Sequence, residues 1–322
     1  MLARRDILIG GAVVATTELV RPITRAFAKA SQPTTPVNFA VPAGACDCHT
    51  HVFADQQKYP LFSGRTYTPE AASIEEMRAL HRALHLDRVV IVQPSIYGTD
   101  NTATLDGIKA LGTSARGIGV IDDKTSDATL DQMNRAGIRG VRINLENDAQ
   151  TDPALGRRLL RSAAERIASR NWHIQMFARL SVIEGIKDQV MAAPVPVVFD
   201  HFGGAKAALG VDQPGFPVLL DLVRAGKAYV KISAAYRCST LSPDYPDVVP
   251  LAKALIAANP QRILWGSDWP HPRQEPGRPI TEVTSLFQID DGQVFNQLAV
   301  WAPDAATRKI ILVDNPARLF SF

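Results

Sequence analysis

Residues 45–53 read Ala45-Cys46-Asp47-Cys48-His49-Thr50-His51-Val52-Phe53. The run is short and opens just after Gly44, and a polar stretch from Asp55 to Lys58 follows it. A buried strand is the economical reading. Side chains alternate along a strand, so Asp47, His49 and His51 are expected on one face and Cys48 and Thr50 on the other. Two imidazoles on one wall can hold a metal, polarise a carbonyl or shuttle protons.

The same kind of run recurs along the chain. Candidate strands are 45–53, 88–93, 116–121, 139–144, 173–178, 195–201, 228–234 and 262–268. They are rich in Val, Ile and Phe, as strands covered on both faces should be. Helical patterns lie between them. Ser73 to Leu84 opens on a cap followed by Glu75 and Glu76. Asp152 to Ser169 has its cap at Asp152 with Pro153 at the first helical position. A third helix is expected over Pro243 to Ala258, ending before Asn259-Pro260. Alternation of this kind predicts an α/β chain closed into a (β/α)8 TIM barrel. An open doubly wound sheet is the runner-up, disfavoured because no Gly-rich phosphate loop follows the first strand. The longest non-helical stretches, 54–72, 201–217 and 269–281, all follow strands and so belong to the face where barrels build their sites. The first is a candidate lid.

The 322 residues divide at the start. Arg4-Arg5 precedes an apolar run from Ile7 to Thr16, then Ala26-Phe27-Ala28 and Ala28-Lys29-Ala30. This is the pattern of a twin-arginine signal over residues 1–30, and it predicts an exported, periplasmic protein. Residues 31–42 read as an N-terminal arm and 43–322 as the barrel. No other stretch is long and apolar enough to cross a membrane, so no membrane partner is expected once the signal is removed. The formal net charge is +3, and the excess base lies within the first 30 residues. No basic field remains for nucleic acid. Three cysteines, with Cys46 and Cys48 two apart on a strand, argue against a disulfide scaffold.

Two further strand ends carry chemistry. One closes with Asp200-His201-Phe202-Gly203-Gly204, the other with Trp265-Gly266-Ser267-Asp268-Trp269-Pro270-His271-Pro272. The last strand of a closed barrel neighbours the first, so Asp268 is expected to share a site with His49 and His51. Arg142 and Arg237 sit at strand ends that reach the mouth, where guanidinium forks bind carboxylates.

These motifs, together with Asn315-Pro316-Ala317-Arg318-Leu319-Phe320, resemble the amidohydrolase superfamily, amidohydrolase-2 group. The branch most resembled is that of the 2-pyrone-4,6-dicarboxylate lactonases, which includes sugar-acid lactonases, lactone isomerases and sulfomuconolactone hydrolases. Supporting stretches are Ile91 to Asn101 and Arg139 to Asn144. The resemblance covers residue 42 to the C-terminus. It implies a metal-dependent-hydrolase type of barrel acting on a small acidic lactone, with Asp268 as general base. His49, His51 and His201 would stabilise the oxyanion and Arg142 and Arg237 clamp an acid, while Ser95, Tyr97 and Tyr67 line the pocket. A zinc site of this superfamily wants a histidine on the fifth strand, but that strand offers Gln175 and Phe177. A site without cofactor is therefore expected, the alternative being one zinc ion on His49, His51 and Asp268. Related lactonases carry an arginine shortly after the fourth strand, where this chain reads Asn144-Leu145-Glu146-Asn147-Asp148. That departure favours a mono-acid or polyhydroxylated lactone, with Arg179 as a substitute cation. Other readings are a sugar-acid lactone isomerase, a zinc-dependent amidohydrolase or decarboxylase, and a periplasmic sugar-acid binding protein.

Overall fold

The computed structural model describes residues 30–146, 151–275 and 277–322. The twin-arginine segment, apart from Ala30, lies outside the described residues, as do Asn147 and Asp148. Eight parallel strands follow in chain order: β1 Cys46–Thr50, β2 Arg88–Val92, β3 Ala115–Gly119, β4 Ile138–Asn144, β5 His173–Phe177, β6 Val197–Phe199, β7 Ala228–Ser233 and β8 Ile263–Gly266. Each pairs with the next. The seam between β8 and β1 closes the ring. There the Asp268 N–H donates to the His49 carbonyl (2.9 Å), and the His51 N–H donates to the Trp269 carbonyl (2.8 Å). The fold is a (β/α)8 barrel. Gly266 is required at this seam, because a Cβ there would stand 2.7 Å from the Cβ of His49.

Two apolar layers hold the barrel. Inside it, Cys46, Cys48, Val90, Val92, Ile118, Val198 and Leu264 pack in one cluster with Leu319 and Phe320. The larger core lies between strands and helices. All three cysteines are buried and free.

The helix caps behave as local chemistry demands. Ser73 and Glu76 form a reciprocal capping box ahead of the helix Ile74–Ala83, and Asp152 caps the helix Pro153–Ile167. The third helix starts later than expected, at Val249 rather than Pro243. Pro250 lacks an N–H and is tolerated only in a first turn, which fixes the start one residue before it.

The alternation expected along β1 fails. The pairing register shifts between Asp47 and Thr50, as at a β-bulge. Cys48 and His49 consequently both face inward, while Asp47 and Thr50 face the helix Ile74–Ala83. There Asp47 meets His81 (3.3 Å) and Thr50 meets Met77 (3.8 Å). Asp47 thus leaves the site and takes structural work. Its carboxylate accepts from the Ser267 N–H (3.0 Å) and hydroxyl (2.6 Å), pinning β8 to β1.

Segment 54–72 reaches the loop that follows β8 and places Tyr67 at the mouth. Thr68–Pro69 pairs in parallel with Val283–Thr284 of the loop after β8, and Tyr59 donates to Asp106 (2.6 Å). The arm is tied to that same loop. Thr34 and Thr35 bind the Asp290 carboxylate, and the Trp269 indole donates to the Ser31 carbonyl (3.0 Å).

Candidate active site

Four side chains from three strand ends converge at the mouth. Asp268 Oδ1 lies 3.5 Å from His49 Nε2, 3.5 Å from His51 Nε2 and 3.7 Å from His201 Nε2. All four residues are buried. Asp268 and His201 adopt left-handed backbone, with φ of 65° and 50°. Such strain costs on the order of 1 kcal/mol or more per residue and is characteristic of functional strand ends.

The other carboxylate oxygen of Asp268 is fully engaged. Tyr236 donates to Oδ2 at 2.5 Å and Arg237 Nε at 2.8 Å. Oδ1 has no hydrogen-bond partner. Burial opposes ionisation of Asp268, but the Arg237 guanidinium beside it leads the groups that overcome it and hold its carboxyl well below the usual range. Burial keeps the Tyr236 hydroxyl protonated far above its ordinary titration range, so it stays a donor.

The three imidazoles are each gripped at Nδ1. His51 Nδ1 lies 2.8 Å from the Val92 carbonyl, His201 Nδ1 2.8 Å from the Ser233 hydroxyl and His49 Nδ1 3.3 Å from Asp200 Oδ1. A carbonyl only accepts, so neutral His51 carries its proton on Nδ1 and presents a lone pair at Nε2. His51 is therefore no oxyanion donor in that state. Burial drives His51 and His49 below their ordinary range, and His201 down to about 4.

Beneath the histidines lies a charged layer that the sequence reading passed over. Lys231 of β7 is fully buried. Its ammonium donates to Gln175 Oε1 at 2.6 Å and lies 3.3 Å from His49 Nδ1 and 3.5 Å from Asp200 Oδ1. Gln175 Nε2 in turn donates to Asp200 (3.0 Å). Gln175, noted in the sequence only as a missing ligand, bridges the ion pair that orients His49. Burial lowers the Lys231 pKa, against the pull of Asp200. An inward lysine in the run Ala228 to Ser233 was the available signal, since an unpaired ammonium is almost never fully buried.

Above the carboxylate is a narrow recess of about 40 Å3, lined by Tyr67, Ser95, Arg142, Arg237 and Arg273 among others. Arg142 is buried, donates to the Gln93 carbonyl (3.2 Å) and leaves Nε without a partner. Arg273, stacked over Phe287 at 5.4 Å, had not been singled out from the sequence. Tyr97 corrects an expectation. It is not in the recess lining, and its hydroxyl accepts from the Ala54 N–H (2.9 Å), fixing the base of the lid. The bulky ring reaches the start of segment 54–72 before it can reach the mouth. Arg179 is paired with Glu146 at 2.9 Å, outside the recess.

The buried neutral histidines make stability depend on pH. His173, at the barrel floor beside Phe320, is held down to about 3 and His201 to about 4, burial being the first cause in both. In the unfolded chain both titrate near 6.5. Their contribution is complete above about pH 6.5 and is lost as pH falls toward the folded values, at about 1.4 kcal/mol per pH unit for each group. Urea titrations between about pH 7 and 4.5 are expected to show a midpoint falling steadily. A flat midpoint would contradict the burial assigned to them.

The donor set suits a cation. The His51 lone pair, aimed at a carboxylate oxygen, repels it unless a positive charge stands between them. His49 Nε2 and Asp268 Oδ1 are both buried without partners. Among the described residues, His49, His201 and Asp268 each offer a ligand atom within 4.8 Å of the others, while His51 approaches Asp268 at 3.5 Å without joining that group. The Nδ1 contacts are the outer-shell grip that ligating histidines show. His201, from the end of β6, thus stands in the donor set in place of a β5 histidine.

The chain is 36% identical over 290 residues to 4-sulfomuconolactone hydrolase of Rhizobium radiobacter, covering 88% of this chain and 92% of the relative. It is 35% identical over 307 residues to the 2-pyrone-4,6-dicarboxylate hydrolase of Comamonas testosteroni, covering 91% and 94%. A solved Pseudomonas putida structure, provisionally described as a 2-pyrone-4,6-dicarboxylic acid hydrolase, superposes with a TM-score of 0.73 at 31% identity, covering 88% and 98%. Residues 46–322 match the amidohydrolase family throughout, so the β1 histidines, the β6 and β8 strand ends and the C-terminal helix all fall within one family pattern, and the chain belongs to that family.

Proposed function

We propose that the protein hydrolyses a small lactone bearing a carboxylate. The observation that carries this reading is Asp268 Oδ1, an ionised, buried and unpartnered oxygen under a recess rimmed by Arg142, Arg237 and Arg273. Tyr236 and Arg237 occupy Oδ2 and so leave Oδ1 among the three Nε2 atoms at the edge of the recess. There it accepts a proton from water as the water oxygen bonds to the ring carbonyl carbon. The carbonyl electron pair moves to its oxygen, then returns as the ring C–O bond breaks. Asp268 hands its proton to the departing ring oxygen. Arg142, with Nε unpartnered, is placed to bind the substrate acid. Tyr67 and the lid keep bulk water out. A divalent cation held by His49, His201 and Asp268 would act as a Lewis acid on the carbonyl and ease deprotonation of water.

A panel of acidic lactones incubated with purified protein tests the reaction, and failure to open any of them would remove the proposal. Exhaustive chelation tests the donor set on the same sample. Elemental analysis is expected to show up to one divalent cation per chain, and turnover is expected to fall at least tenfold on its removal and return with zinc. Turnover that survives with no metal detected would assign the histidines to hydrogen bonding alone.

A further inference from the structure

Beside the recess lies a far larger cavity, of about 740 Å3. The two share Phe177, His201, Arg237 and Gln274, so the recess opens into it. Its volume falls in the range of roughly 300–1,000 Å3 that holds drug-sized ligands. A bare lactone ring with one acid would leave most of it empty.

The walls have two chemistries. One is aromatic: Phe177 stands edge-on to His201 at 5.0 Å, and the Tyr236 and Phe287 rings lie 5.3 Å apart. Leu209 adds an apolar side chain left 64% exposed at the lip. The other is basic. Glu146 offsets Arg179, and Asp268 offsets Arg237. Among the described residues Lys206 has no carboxylate within ion-pair reach, and its ammonium donates to the Arg237 carbonyl at 3.2 Å.

We infer that this vestibule binds the arm of an extended lactone. The ring sits over Asp268, a flat unsaturated or aryl arm runs along Phe177, Tyr236 and Phe287, and a terminal carboxylate meets Lys206. Stacking and a long-range cation suit such an arm, whereas a polyhydroxylated one would waste the aromatic wall. The inference rests on the lactone reading and narrows its substrate class.

Three synthetic substrates test it: a short acidic lactone, the same ring carrying a 4-carboxyphenyl arm, and the same arm ending in a carboxamide. The carboxyphenyl lactone is expected to exceed the short one in kcat/KM by at least tenfold, and the carboxamide to lose most of that gain. Lys206→Glu reverses the charge, and Ser181→Trp fills the cavity. Both residues are exposed, and thermal melts confirm folding of the variants. Each variant is expected to lower the extended-to-short ratio about tenfold. A wild-type ratio of one or less, or a ratio that neither variant moves, overturns the vestibule while the lactone reading stands. If no lactone is opened, both fall.

Discussion

Asp268→Asn is expected to lower kcat at least ~10²-fold, the usual scale for loss of a general base, with KM changing only a few-fold. The amide keeps the shape of the carboxylate and its Tyr236 contact. It cannot take a proton from water, and it places a neutral group where Arg237 is paired with a charge. The variant also alters the donor set for a cation, so its metal content must be measured beside its kinetics. Loss of rate with metal retained assigns the loss to proton transfer. Loss of both, with rate restored by excess zinc, assigns it to the cation. Near wild-type kcat on a substrate the protein turns over would move the base to one of the histidines, His201 first.

The arginines are expected to separate from one another. Arg142 donates to the Gln93 carbonyl, lies 3.7 Å from Asp200 and lines the recess. Arg142→Met should therefore raise KM about 10- to 100-fold, the loss of a charged hydrogen bond being worth roughly 1.5–3 kcal/mol, with a smaller effect on kcat. Arg237 has a second task, because its Nε holds Asp268 Oδ2 at 2.8 Å. Arg237→Met should raise KM and also cut kcat, since the base loses a partner that keeps it ionised and aimed. Steady-state kinetics on one lactone checks both. An Arg237→Met variant that altered KM alone would show that Tyr236 suffices to orient Asp268.

How much of this was legible in the sequence depends on the range of the interaction. The eight strands and the caps at Ser73 and Asp152 rest on local patterning, and they were readable. So was the meeting of His49, His51 and Asp268, because barrel closure makes β8 the neighbour of β1. The bulge in β1 was not readable. Strict alternation put Asp47 in the site, and only the shifted pairing with β2 turns it toward His81. Lys231 looked like one polar residue in an apolar strand, because its partners Gln175 and Asp200 belong to two other strands. Tyr97 was misplaced for a related reason: a motif says which residues are near a strand end, and not which way a side chain turns after it.

The Asp47–Ser267 hydrogen bonds join residues 220 positions apart. Contacts of such long range form slowly, since the entropy of closing the chain must be lost before they return anything. The base and its histidines come from opposite sides of this junction. A polypeptide ending before β8 would contain the three imidazoles and Asp200 but lack Asp268. Catalytic competence should therefore emerge in a single late step of refolding, lagging behind secondary structure, and it should coincide with the ordering of the Trp269 indole against Ser31.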